Sequence, residues 1–109
     1  QRSREQARSL EIARQISNQL QVGMSRSEVE SIVHPLAWKH YRCPTSITSR
    51  DYYLFGSHDP ELTAILDLTF LSTEGTERLN RIAGMDNYLL NNGILARGCE
   101  ATLLQESQQ

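Results

Sequence analysis

The stretch QLQVGMSRSEVESIVHP, residues 19–35, constrains the fold of this chain more than any other. Gly23 suits the left-handed backbone that ends a helix. Ser25 is placed to cap a following helix, and Glu28, three residues on, can reach back to the Ser25 amide as a capping box. Met24 before the cap and Val29 at the fourth helical position form the pair of a hydrophobic staple. Val29, Ile32 and Val33 share one side, and Pro35 disfavours helix at His34. The spacing predicts helix, turn, short helix and stop. Gly23, Met24, Ser25, Glu28, Val29 and Pro35 are therefore junction residues with structural roles, and function is to be sought elsewhere.

Before the junction, residues 1–22 read as a helix, with Ile12, Ile16 and Leu20 recurring every four residues and Leu10 and Ala13 beside them. Residues 1–9 offer only Ala7 to that stripe, which predicts a frayed or juxtamembrane start. Arg2, Arg4 and Arg8 make a solvated face there, or a basic stretch just outside an anchor upstream of Gln1. After Pro35 the period changes. Trp38–Cys43 reads as a short strand or an irregular crossing, Pro44–Ser49 as a loop, and Arg50–Phe55 as a strand. GSHDP, residues 56–60, is a turn signal. Leu62, Ala64, Leu66, Leu68 and Phe70 alternate with Thr63, Ile65, Asp67, Thr69 and Leu71, which predicts a long strand with one strongly apolar face. STEGTE makes a loop and Arg78–Ala83 a further strand. Asp86–Asn92 reads as a short helix ended by Gly93, with a hairpin at NNG as the alternative, and the tail from residue 101 to 109 as flexible. One domain over 10–100 follows: α+β, two N-terminal helices packed on a three-stranded or slightly larger antiparallel meander.

Composition narrows the function classes. The chain has 109 residues, 39% hydrophobic and 22% charged, as expected of an ordinary folded domain. A net charge of −2 argues against a nucleic-acid binder. There is no apolar run of membrane-spanning length. Cys43 and Cys99 are the only cysteines. They can close one disulfide around a long loop, worth roughly 4 kcal/mol in the chain-entropy model, in an oxidising compartment. They can equally remain two reduced, buried thiols, and the sequence does not choose.

Candidate chemistry is sparse. His34, His40 and Cys43 have a spacing that needs His58 or Cys99 to complete a zinc site. The histidines are otherwise expected on the surface or in turns. A Cys43 nucleophile with His40 or His58 has no local signature around it. Asp59 is assigned to the turn and Asp67 to the solvent face of its strand. No catalytic, cofactor-binding or metal residue is assigned, and no cofactor is expected. Tyr52 and Tyr53 must point to opposite sheet faces, so one of them is expected on an open face, where aromatic side chains favour protein contacts. With His58 and Asp59 they make up the candidate partner-binding set.

The order of these motifs resembles the SmpA/OmlA family of small envelope lipoproteins and, in plan, one repeat of the β-lactamase inhibitory proteins. The family's helix junction is matched by Leu20, Gly23, Met24, Ser25, Glu28 and Val29. Its aromatic strand is matched by DYYLFG, its next strand by Leu66, Asp67, Leu68, Thr69 and Phe70, and its return by Gly75, Leu79 and Ile82. The family's LGxP helix end is replaced here by IVHP. The resemblance implies a non-catalytic, extracytoplasmic protein-interaction module, tied to a membrane only through an anchor upstream of Gln1. The alternatives are an inhibitor of a secreted enzyme, with GSHDPE as its loop, and a small His/Cys metal protein.

Overall fold

The architecture is taken from a computed structural model that describes residues 2–83 and 98–105. Helix α1 (Arg2–Gln19) and helix α2 (Arg26–Val33) precede strands β1 (Lys39–Pro44), β2 (Thr48–Phe55), β3 (Ala64–Thr73), β4 (Thr76–Ala83) and β5 (Glu100–Leu103). All pairings are antiparallel, in the order β4-β3-β2-β1-β5. The α+β fold with two helices on a meander is as the sequence indicates, and the sheet is two strands larger than the minimum of three. Glu100–Leu103 is strand rather than tail because it closes a ladder on β1, pairing Arg42 with Glu100 and Lys39 with Leu103. The expected Asp86–Asn92 helix lies outside the described residues.

The junction forms as its residues dictate. Gly23 has φ +101°. Ser25 Oγ accepts from the Glu28 amide at 3.1 Å, while a Glu28 carboxylate oxygen accepts from the Ser25 amide at 2.9 Å. α1 stops at Gln19, three residues before the expected end, because residues 20–24 turn to meet β4. The Gly23 amide donates to Leu79 O and the Leu79 amide to Met24 O, both at 2.7 Å. Arg78 adds a bond to Gly23 O at 3.0 Å. The helix junction thereby covers the outer edge of β4.

Between helices and sheet lies the main core. Ala13, Ile16 and Leu20 of α1 and Val29 and Val33 of α2 meet Tyr53, Phe55, Ala64, Leu66, Leu68, Phe70 and Leu79. The alternating apolar face of β3 is buried throughout. Leu10 has turned away and is 40% exposed. The β3–β4 turn is a two-residue hairpin, Glu74 and Gly75, both with positive φ (53° and 81°). That is the turn whose twist suits a hairpin. Close packing of α1 on the β2 end depends on Gly56. A Cβ there would lie 2.2 Å from Ser9 Oγ and 2.7 Å from Ser9 Cα, and Ser9 Oγ accepts from the Ser57 amide at 3.0 Å.

Candidate functional site

Strand parity sends Ser49, Asp51, Tyr53 and Phe55 of β2 towards the helices. A carboxylate among those neighbours must find donors or lose its charge. Asp51 is fully buried and has four. Arg26, the first residue of α2, donates Nη1 to Oδ2 at 2.8 Å and Nη2 to Oδ1 at 3.1 Å. Ser49 Oγ donates to Oδ1 at 2.8 Å. His40 Nε2, from β1, stands 2.5 Å from Oδ2. Arg26 also reaches Glu77 of β4, Nε to Oε1 at 2.7 Å, and its guanidinium lies 4.1 Å over the Phe70 ring. Arg42 meets the same Glu77 at 3.3 Å. One ionic cluster thus ties α2, β1, β2 and β4 together.

Aromatic rings extend it. His40 stacks on Tyr53 with centroids 4.2 Å apart and planes 6° from parallel. His34 lies beyond, 5.8 Å from His40, with its Nε2 3.4 Å from Tyr53 Oη. Burial would raise the Asp51 pKa, yet the hydrogen bonds from His40, Arg26 and Ser49 hold it down at about 2. Burial works against the Arg26 charge too, but Asp51 and Glu77 raise its pKa above the ordinary value. Burial pushes the Tyr53 hydroxyl up and the His34 imidazole down.

These groups do not form a nucleophile relay. Such a relay needs the base between nucleophile and orienting acid. Here the carboxylate occupies the centre, and Ser49 gives its proton to Asp51 instead of to His40. His40 itself is buried in a strand, not on the surface or in a turn, because its position on β1 shares the inward face with Asp51 and Tyr53. Among the described residues no three His, Cys, Asp or Glu side chains are grouped to hold a metal. Cys43 is bonded to Cys99, with Cα atoms 4.3 Å apart, which removes the thiolate from both the zinc and the nucleophile readings.

The opposite sheet face differs from expectation. Tyr52 does point away from Tyr53, but neither is open to solvent: Tyr53 is 0% exposed and Tyr52 5%. Tyr52 belongs to a second cluster with Tyr41, Leu54 and Ile65, against which Trp38, Cys43 and Cys99 pack. Arg50 lies over the Tyr52 ring at 5.4 Å. Its guanidinium also meets Asp67 at 2.5 Å. Asp67 is correspondingly not on a solvent face. Its side chain is only 14% exposed, and Oδ1 is buried without a hydrogen-bond partner.

The other two partner-binding candidates sit at the β2–β3 end. His58 is exposed and stacks on half-buried Trp38, centroids 4.1 Å apart and planes 21° apart. The Trp38 indole N–H donates to Thr63 Oγ1 at 3.2 Å, and Thr63 Oγ1 donates to Phe55 O at 3.0 Å. Asp59 builds the loop: its carboxylate accepts from the Glu61 amide, and its carbonyl from the Leu62 and Thr63 amides, all at 2.9 Å. On the α1 side of the same loop a cleft of about 180 Å³ is lined by Glu5, Arg8, Ser9, Ile12, Gly56 and Ser57. Sequence reasoning brought out the Trp38, His58 and Asp59 neighbourhood only in part, and missed the Arg26–Asp51–His40–Glu77 cluster. One signal was present, since Asp51 stands two and four residues before Tyr53 and Phe55 on the inward parity. Comparison of the chain with protein-family models, curated proteins and solved structures gives no match.

Proposed function

We propose that this domain is a non-catalytic protein-interaction module of an oxidising, extracytoplasmic compartment. It recognises its partner through the surface at the β2–β3 loop. The observation that carries the reading is the Trp38–His58 stack, an aromatic pair whose Trp38 N–H is bonded to Thr63 and whose His58 immediately precedes the Asp59 turn. Rigid aromatic groups that are partly exposed supply contact area at small entropic cost, which is why they anchor protein interfaces. The Cys43–Cys99 disulfide supports the compartment. Ser49, His40 and Cys43, the groups with the most chemistry to offer, are each engaged in structural bonds, which favours binding over catalysis. Tyr52 and Tyr53 leave the contact set because both are buried. The resemblance to the SmpA/OmlA family rests on the junction motif and on the order of the sequence motifs that follow it.

Immobilised domain exposed to an envelope extract tests this reading. A protein retained by the wild type and by Arg81→Ala, whose exposed side chain is on β4, should be lost with His58→Ala. Retention unaffected by His58→Ala, or no retained protein, would refute it. An inhibitor of a secreted enzyme would present the same loop, and the retained protein's identity separates that case.

A further inference from the structure

Strand β5 is attached in a way unlike the rest of the sheet. Leu104 donates to Trp38 O at 3.0 Å, and antiparallel hydrogen-bonded pairs recur at every second residue. In the β1–β5 register, Thr102 and Glu100 therefore exchange bonds with His40 and Arg42, while Ala101 and Leu103 turn their backbone groups away from the sheet. Glu100, Ala101, Thr102 and Leu103 are all exposed. Only the following Leu104 reaches the main core, and only partly. The next pair in the register after Arg42 and Glu100 is Cys43 and Cys99, where the two strands are joined covalently. Both cysteines are half-buried, so a thiolate can approach them. The other edge is the contrast. β4 is covered by backbone bonds to Gly23 and Met24 and packs its Leu79 into the core.

We propose that the Cys43–Cys99 bridge is an exchangeable latch on β5. Opened by a dithiol, it lets β5 leave the sheet and uncovers the edge of β1 while the helices and β2–β4 stay folded. The thiolate of the dithiol attacks one sulfur, giving a mixed disulfide and releasing the other cysteine as a thiol. The second dithiol sulfur then displaces the remaining cysteine. Cys43 and Cys99 together gain two electrons and two protons, and the dithiol becomes a disulfide. What the latch uncovers is defined by the register. His40 and Arg42 lose their backbone partners, and both side chains belong to the ionic cluster around Asp51 and Glu77. The device does not depend on the partner-binding reading, since its test reads backbone exchange along the β1 edge and not partner capture.

Amide hydrogen exchange on the full chain, read by residue with and without dithiothreitol, tests it. Reduction without denaturant should speed exchange about tenfold or more at His40, Arg42, Thr102 and Leu104. Tyr41, whose amide faces β2, and Leu66–Phe70 of β3 should keep their protection. The double variant Cys43→Ser/Cys99→Ser should give the same pattern with no reductant. Unchanged exchange at His40 and Thr102 would overturn the proposal. So would equal loss of protection across β2 and β3, which would make the bridge a staple of the whole fold. A bridge that resists dithiothreitol until the protein is denatured would also overturn it. If the double variant does not fold, the reduced wild-type chain decides by the same criteria.

Discussion

Arg26 and Asp51 meet through two hydrogen bonds, Nη1 to Oδ2 at 2.8 Å and Nη2 to Oδ1 at 3.1 Å, across 25 residues of sequence. The pair joins the first turn of α2 to the middle of β2, with the carboxylate fully buried and the Arg26 side chain 13% exposed. Desolvating both charges offsets most of their attraction, so the intact pair adds little net stability, whereas losing one member strands a buried charge. Arg26→Ala leaves Asp51 buried with only His40 and Ser49 as donors. Urea unfolding of that variant should show a loss of about 3–5 kcal/mol. Arg26→Met/Asp51→Leu, which removes both charges, should recover a large part of it. A double variant as unstable as the sum of the two single ones would show that the ion pair adds no coupling.

Acid should act through the same carboxylate. Asp51 has its pKa lowered to about 2 in the folded state from 3.8. A group with a depressed folded pKa contributes stability that is fully present above its unfolded value and is lost as pH falls through the folded value. The window therefore runs from about pH 4 down to about pH 2, and the shift corresponds to about 2 kcal/mol. Denaturation midpoints measured from pH 5 to pH 2 should fall more steeply for the wild type than for Asp51→Asn. The variant lacks this titration and starts from a lower plateau. Parallel slopes would show that Asp51 does not govern acid stability.

What the sequence reveals divides along the range of the interactions. The capping box, the turn at Gly23 and the inward face of β3 are set within a few residues, by side-chain reach and by the period of two, and these appear as the spacing implies. Strand β5 is the opposite case. EATL alternates polar and apolar residues over only four positions, all of them exposed, too short a run to mark it, and it becomes a strand because β1 offers an edge and Cys43 a bond. The ionic cluster is intermediate. Asp51 lies on an inward position that the pattern alone identifies, but its partners come from α2, β1 and β4, and sequence spacing does not say which arginine arrives. Tyr52 shows the limit of parity: the alternation gives its face correctly and says nothing of whether that face is covered.

Gly56 should be the least replaceable of the described glycines. Its φ is +80°, and a Cβ would meet Ser9 Oγ, Cβ and Cα at 2.2, 2.6 and 2.7 Å. The side-chain atom can move, but the α1 backbone cannot move without opening the contact with Ser57. Gly75 has nearly the same φ, +81°, with nothing within 4 Å of its Cβ position. Gly75→Ala therefore isolates the cost of the left-handed backbone, about 1 kcal/mol. Gly56→Ala adds the steric clash and should cost about 1–3 kcal/mol more. The thermal midpoints should thus rank wild type, Gly75→Ala, Gly56→Ala. Adding Ser9→Gly to Gly56→Ala should restore only part of the loss, since Ser9 Cα stays. Equal midpoints for the two alanine variants would mean that α1 shifts freely on the β2–β3 end.

Ser25 provides the sharpest test of the junction, because its side chain and its backbone do different work. The hydroxyl accepts from the Glu28 amide at 3.1 Å and caps α2, while its backbone lies opposite Arg78 on the edge of β4. Ser25→Ala removes the cap and leaves the backbone pairing intact. The cost should be about 1 kcal/mol, the usual value for an N-cap. Ser25→Asp keeps an acceptor at the same place and puts a negative charge at the helix N-terminus, so it should match the wild type in urea. Ser25→Gly should fall between them, within a few tenths of a kcal/mol of the wild type, because glycine is itself tolerated at the cap. If Ser25→Ala were as stable as the wild type, the hydroxyl–amide bond would contribute nothing, and the β4 pairing through Gly23 and Met24 would be what holds α2 in place.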